Sequence, residues 1–158
     1  MQQHNPAIRK HFTVSDANAT LPLVSAIVRD LTELAREVVQ RRERLSDLPR
    51  GGGGSDGDDP YGAEVAQIVE DLDRDSQRLR EYVEELLELG VKPRSVTEGI
   101  IDFPAMMDDR PVYLCWQLGE PEVVHWHEQG ATFRDRRPLP DTPAEERKLG
   151  SDVGSAAP

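Results

Sequence analysis

The chain holds a single cysteine, Cys115, in its 158 residues. One thiol excludes an internal disulfide and any zinc site built from several cysteines. Aromatic residues reach only 5% and hydrophobic residues 37%, which is lean for a fully compact domain. Part of the chain is therefore expected outside the core. No run approaches the roughly 20 apolar residues of a membrane-spanning helix. The opening MQQHNPAIRKHF lacks the apolar centre of a signal peptide. These absences predict a cytoplasmic protein with no membrane partner. Basic residues are outnumbered, with 19 Lys and Arg against 30 Asp and Glu and a net charge of −11. That balance argues against nucleic acid or an anionic membrane as a partner. No glycine-rich phosphate loop follows a strand, and no G-x-S-x-G elbow occurs.

What is present has a clear order. Thr13 and Asp16 have the spacing of a capping box at a helix start. Leu21-Pro22 interrupts, so the proline either ends a short first turn or opens the long helix at its first position. Val24, Ile27, Val28, Leu31, Leu34, Ala35, Val38 and Leu45 then recur at three- and four-residue steps. This predicts an amphipathic helix to about Leu45. Residues 49–62 read as a flexible acidic loop, too rich in glycine and aspartate to hold a helix. Its aspartates lack the ligand frame of an EF-hand. A second helix is predicted from Ala63 to Leu89, with Val65, Ile68, Leu72, Leu79, Val83 and Leu86 on its apolar stripe. Asp75 or Ser76 breaks that stripe once. Gly90 supplies the left-handed stop and Pro93 prevents resumption. Nine acids against three bases mark the outer faces of this helix as solvated. The two helices should pair as an antiparallel hairpin resembling a coiled coil.

Past Pro93 the period changes from 3.6 to 2. Ile100–Phe103, Val112–Gln117 and Glu122–His127 read as three strands joined by short turns. The expected architecture is α+β: a long antiparallel helical hairpin packed on a three-stranded antiparallel β-meander. The domain should span 12–139, with an N-terminal extension at 1–11 and a disordered tail at 140–158.

Alternation sorts the strand residues onto two faces. Ile101, Phe103, Val112, Leu114, Trp116, Val124 and Trp126 should lie on the helices. Asp102, Tyr113, Cys115, Gln117, His125 and His127 should face away. A connection through Gly119-Glu120-Pro121 keeps both apolar faces together. It sets Cys115 opposite His125 and Tyr113 opposite His127. No cofactor is firmly implied. His125 and His127 project side by side, and with Asp102 or Cys115 they form a candidate divalent-metal site. Glu120 and Glu128 are nearby ligand candidates. Alternatively, these polar groups are the wet side of a half-buried sheet, or, with Ile100 and Val123, a contact with another subunit. Cys115 with His125 is a thiolate-pair candidate, although a cysteine within a strand usually packs. Arg110, Arg134, Arg136 and Arg137 are candidates for holding a small anion, or for pairing with surface acids.

Several segments together resemble the uncharacterised bacterial family called domain of unknown function 2203. They are Phe12-Thr13 with Asp16-Ala17-Asn18 and Leu21-Pro22, Leu89-Gly90-Val91, Gly99 to Ala105, and Val112 to Trp116. Gly119-Glu120, Trp126-His127-Glu128, and Phe133 with Arg136 and Pro138 complete the set, which covers 12–139 without the glycine loop. The resemblance brings no activity. It implies that Asp102, Glu120, His127, Glu128 and Arg136 fall on the family pattern, whereas the place of His125 is commonly taken by another residue. Asp109 and Asp135 stand where that pattern usually has glycine. Two function classes follow. The first is a non-enzymatic protein that binds a protein partner or itself as a homo-oligomer. The second is a metal-dependent or anion-binding enzyme using Asp102, Glu120, His127 and Glu128, which requires those four side chains to converge.

Overall fold

Thr13 caps the first helix, α1 (Val14–Asp47), in the computed structural model, which describes residues 11–48 and 60–140. The Asp16 amide donates to Thr13 Oγ1 at 2.9 Å, and the Thr13 amide donates back to Asp16 Oδ2 at 3.2 Å. The reciprocal bonds satisfy two of the amides that every helix start leaves unpaired. Pro22 does not break the helix. Its ring lies on the exposed side, while Leu21 and Val24 are buried on either side of it. The missing amide removes one helical bond, and the buried neighbours hold the axis through the gap.

The second helix, α2 (Pro60–Glu88), starts with proline at its first position, where no amide is needed. Of the loop expected at 49–62, residues 49–59 lie outside the described residues and 60–62 form the first turn of α2. The extension at 1–11 and the tail at 140–158 also lie outside the description, apart from His11 and Pro140. Gly90, at φ +88°, ends α2. Its amide donates to Leu87 O, and the Val91 amide donates to Leu86 O at 2.9 Å. These bonds satisfy carbonyls that the last turn would otherwise leave open.

Five strands follow, where three were expected: β1 (Lys92–Ser95), β2 (Ile100–Met107), β3 (Arg110–Gln117), β4 (His125–Glu128) and β5 (Arg137–Pro138). They form an antiparallel meander in chain order. The two extra strands are the edges. Each is short, polar and contains a proline, a composition that edge strands tolerate and that periodicity does not reveal. Asp108 and Asp109, at φ +50° and +62°, make the tight turn between β2 and β3.

The core joins one face of this sheet to α1 and the end of α2. Val24, Val28 and Leu31 meet Phe103, Leu114 and Trp116 there, with Leu86 contributed by α2. Phe12 packs edge-on against Phe103, with ring centroids 5.0 Å apart. The expected core face is right except at Val124. Val123 is the buried member, while Val124 is half-exposed. The β4 ladder begins only at His125, so residues 118–124 form a loop and alternation does not extend into it. Asn18 Oδ1 accepts from the Val123 amide at 2.7 Å and ties this loop to α1.

Away from the sheet, the helices cross with an ion pair between Arg41 and the buried Asp75. This pair explains the gap in the apolar stripe of α2.

Candidate functional site

The β2–β3–β4 register places Asp102, Cys115 and His125 in one row across the sheet, and Tyr113 opposite His127 in the next. This is the register expected from parity. Its surroundings are not the expected ones. Asp102 and Cys115 are fully buried, His127 is 3% exposed and Tyr113 9%. The face opposite the helices is therefore a small second interior and not a wet surface. Arg94 of β1 leans over Tyr113, with its guanidinium 4.7 Å from the ring centroid. The segment Gly130–Arg134, beyond β4, walls the other side.

His127 holds both ring nitrogens against acceptors. Nδ1 lies 2.9 Å from the Glu128 carbonyl oxygen, and Nε2 lies 3.0 Å from Asp102 Oδ2. A carbonyl oxygen only accepts, so Nδ1 carries a hydrogen, and Nε2 is the nitrogen that would face a metal ion bound between it and Asp102 in place of their direct contact. Arg94 Nε donates to the same Asp102 Oδ2 at 2.6 Å. Asp102 Oδ1 is buried without a hydrogen-bond partner. An unsatisfied carboxylate oxygen in a dry interior calls for a physical explanation. One carboxylate oxygen of Asp102, Cys115 Sγ and one His127 ring nitrogen all lie within 4.8 Å of one another.

Burial, then the neighbouring Asp102 charge and a hydrogen bond from the thiol to the Asp102 carboxylate, push the Cys115 thiol up to about 12. Arg136 opposes that shift from the other side. Cys115 is therefore a neutral thiol near pH 7 and not a poised nucleophile. Lys92 Nζ donates to the Tyr113 hydroxyl at 2.9 Å, and this bond is the first cause of that phenol's lowered pKa.

The other candidate residues divide. Glu120 Oε1 accepts from the Gln117 amide at 2.7 Å and from Arg136 Nη1 at 2.9 Å. The Trp116 indole donates to the Glu120 carbonyl at 3.0 Å, so Glu120 anchors the loop that leaves β3. His125 Nδ1 stands 3.8 Å from Glu120 Oε2 and lies outside the Asp102–Cys115–His127 group. The Glu128 carboxylate is held by Arg110 at 2.6 Å, with both side chains partly exposed. Asp102, Glu120, His127 and Glu128 thus do not converge. Asp102 and His127 meet, while Glu120 and Glu128 serve separate ion pairs. Of the arginines considered for an anion, Arg110 and Arg136 hold these carboxylates and Arg137 lies against the Trp126 ring, leaving Arg134 beside the pocket.

A pocket of about 830 Å³ opens over the group, and Asp102, His127, Gln117, Arg94, Glu98 and Arg134 are among its walls. Arg94 is the residue that sequence reasoning missed. No local signal marks it: Arg94 is the extra residue where the β1–β2 register shifts between Pro93 and Ser95, and alternation alone does not place it.

Three donors of mixed softness (carboxylate, thiolate and imidazole) suit a zinc-class divalent ion, and three protein ligands leave a fourth position for water or substrate. The surroundings fit such an ion. The Glu128 carbonyl orients the imidazole, and Arg94 holds one Asp102 oxygen while leaving the other open.

A family model described as an uncharacterized conserved protein, DUF2203, matches residues 10–139. No curated protein and no solved structure matches the chain. No helix among the described residues is long and apolar enough to cross a membrane.

Proposed function

Because the chain belongs to the DUF2203 family, whose description names no activity, we propose a function from its own side chains: the domain binds a divalent metal ion through Asp102, Cys115 and His127 and presents it to a small molecule in the adjoining pocket. One observation carries this reading. Asp102 Oδ1 is buried and unpartnered beside a cysteine and a histidine within ligand distance of each other. A bound cation removes the desolvation penalty of that oxygen. It also takes the place of the Cys115 proton, so binding releases protons. With Nδ1 given to the Glu128 carbonyl and Nε2 to the ion, His127 would have no nitrogen left to act as a general base. The chemistry belongs instead to the ion: polarising an oxygen of the bound molecule, or activating a water.

Elemental analysis of purified and zinc-reconstituted protein tests the reading. Wild-type protein should hold one zinc per chain. His127→Ala and Cys115→Ser should lose it while circular dichroism shows the fold retained. No saturable zinc binding by wild-type protein rules the reading out.

A second reading, self-association through the helices, is favoured by α2 itself. Across its 29 residues only Asp75 and Leu86 are buried. Val65, Ile68 and Leu72 remain half-exposed along its apolar stripe. A second copy laid against this arm would cover them. Light scattering coupled to size exclusion decides it, and a strict monomer at high concentration excludes it.

A further inference from the structure

The arginine that holds Asp102 is placed to do more than hold it. Arg94 is fixed at two points: Nε donates to Asp102 Oδ2 at 2.6 Å, and the guanidinium plane rests over the Tyr113 ring at 4.7 Å. A guanidinium carries five donors in a rigid fork; Asp102 takes Nε and the Tyr113 hydroxyl is a second partner, which leaves the remaining terminal amino hydrogens for an acceptor. Arg94 is 43% exposed through its side chain and lines the same pocket as Asp102 and His127. It thus stands one carboxylate away from the open position of the metal ion.

We infer that the pocket selects a small oxyanion, a carboxylate or a phosphate, one oxygen of which meets the metal ion while another is held by the Arg94 fork. This inference rests on the metal reading above. The pocket supplies what such a ligand needs. With the ion bound, the charges of thiolate and carboxylate offset those of a divalent cation. Arg94 and Arg134 then outweigh Glu98 as the remaining charges on the wall. Gln117 keeps one amide hydrogen beyond the one given to the Glu98 carbonyl, and Ile100, Ala131 and Phe133 give an apolar side for the body of the ligand. About 830 Å³ is room for a metabolite-sized acid. Arg136, by contrast, is occupied by Glu120. Arg94 also holds the ligand Asp102, so the effect of its substitution on anion binding is read at zinc concentrations that fully load the variant.

The test is calorimetry on zinc-loaded protein, with inorganic phosphate and acetate as the two probes and zinc content measured in the same samples. Saturable binding of either anion is expected, and the tighter one identifies the class. Arg94→Ala, fully loaded at raised zinc concentration, should weaken that binding by about tenfold or more, the loss of a charge-assisted pair. Glu98→Gln removes a like charge from an exposed wall residue outside the ligand set, and should strengthen binding a few-fold. It keeps the inference testable if Arg94→Ala loses the fold. Zinc-loaded protein that binds neither anion, or binds equally well without Arg94, overturns the anion inference and leaves the metal reading standing. Protein without stoichiometric zinc overturns both.

Discussion

His127 and Asp102 are not cross-strand partners. They sit on β4 and β2, with β3 between them, and His127 Nε2 reaches across to lie 3.0 Å from Asp102 Oδ2. The residue beside this bridge is Cys115, which is small. The cluster is therefore made by three neighbouring strands, and by a side chain on the middle one that leaves room for the other two to meet.

The buried thiol gives a pH signature. Cys115 has its pKa raised from 9.0 to about 12 in the folded protein, so the native state holds this proton more tightly than the unfolded chain. Its contribution to stability is fully present below pH 9 and declines as pH rises toward 12. Denaturant titrations of metal-free protein from pH 8 to 11 should show the wild type losing stability more steeply than Cys115→Ala. Equal slopes refute the assignment. The native thiol should also react with a disulfide reagent at pH 8 only at the rate of unfolding.

The β2–β3 turn is strained. Asp108 and Asp109 both have positive φ, and only glycine adopts that region without penalty. Asp109→Gly should stabilise the domain by about 0.5–1 kcal/mol, the gain being reduced by the greater freedom of glycine in the unfolded chain. The midpoint of urea unfolding measures it. A lower midpoint counts against the turn geometry.

Between the helices, Arg41 neutralises Asp75, which is 5% exposed. Arg41→Ala leaves a buried carboxylate unpaired and should destabilise by about 1–3 kcal/mol, discounted because Arg41 is itself partly exposed. Asp75→Leu restores an apolar residue to the stripe and should be neutral or stabilising. If both substitutions prove equally harmful, Asp75 has a role beyond pairing. Thermal melts of the two variants separate these outcomes.

Periodicity carried most of the fold. The steps along α1 and α2, the Thr13–Asp16 cap, the Gly90 stop and the alternation in β2 and β3 are local signals, and each came out as the spacing requires. The register of Cys115 with His125 also followed from parity, because a one-residue slip would have turned Trp126 outward. β1 and β5 were not legible, since four and two polar residues carry no period. Val123 and Val124 were exchanged because the ladder stops before them.

The sequence by itself determined which side chains share each face of the central strands, since alternation is a property of the extended backbone. Only the tertiary structure decided that the polar face is closed. Arg94 and the segment after β4 cover it, and they come from an edge strand and a loop whose positions no local pattern encodes. That cover turns Asp102, Cys115 and His127 from solvated neighbours into a dry cluster, because removing water is what makes an unpaired carboxylate oxygen costly and a nearby cation favourable.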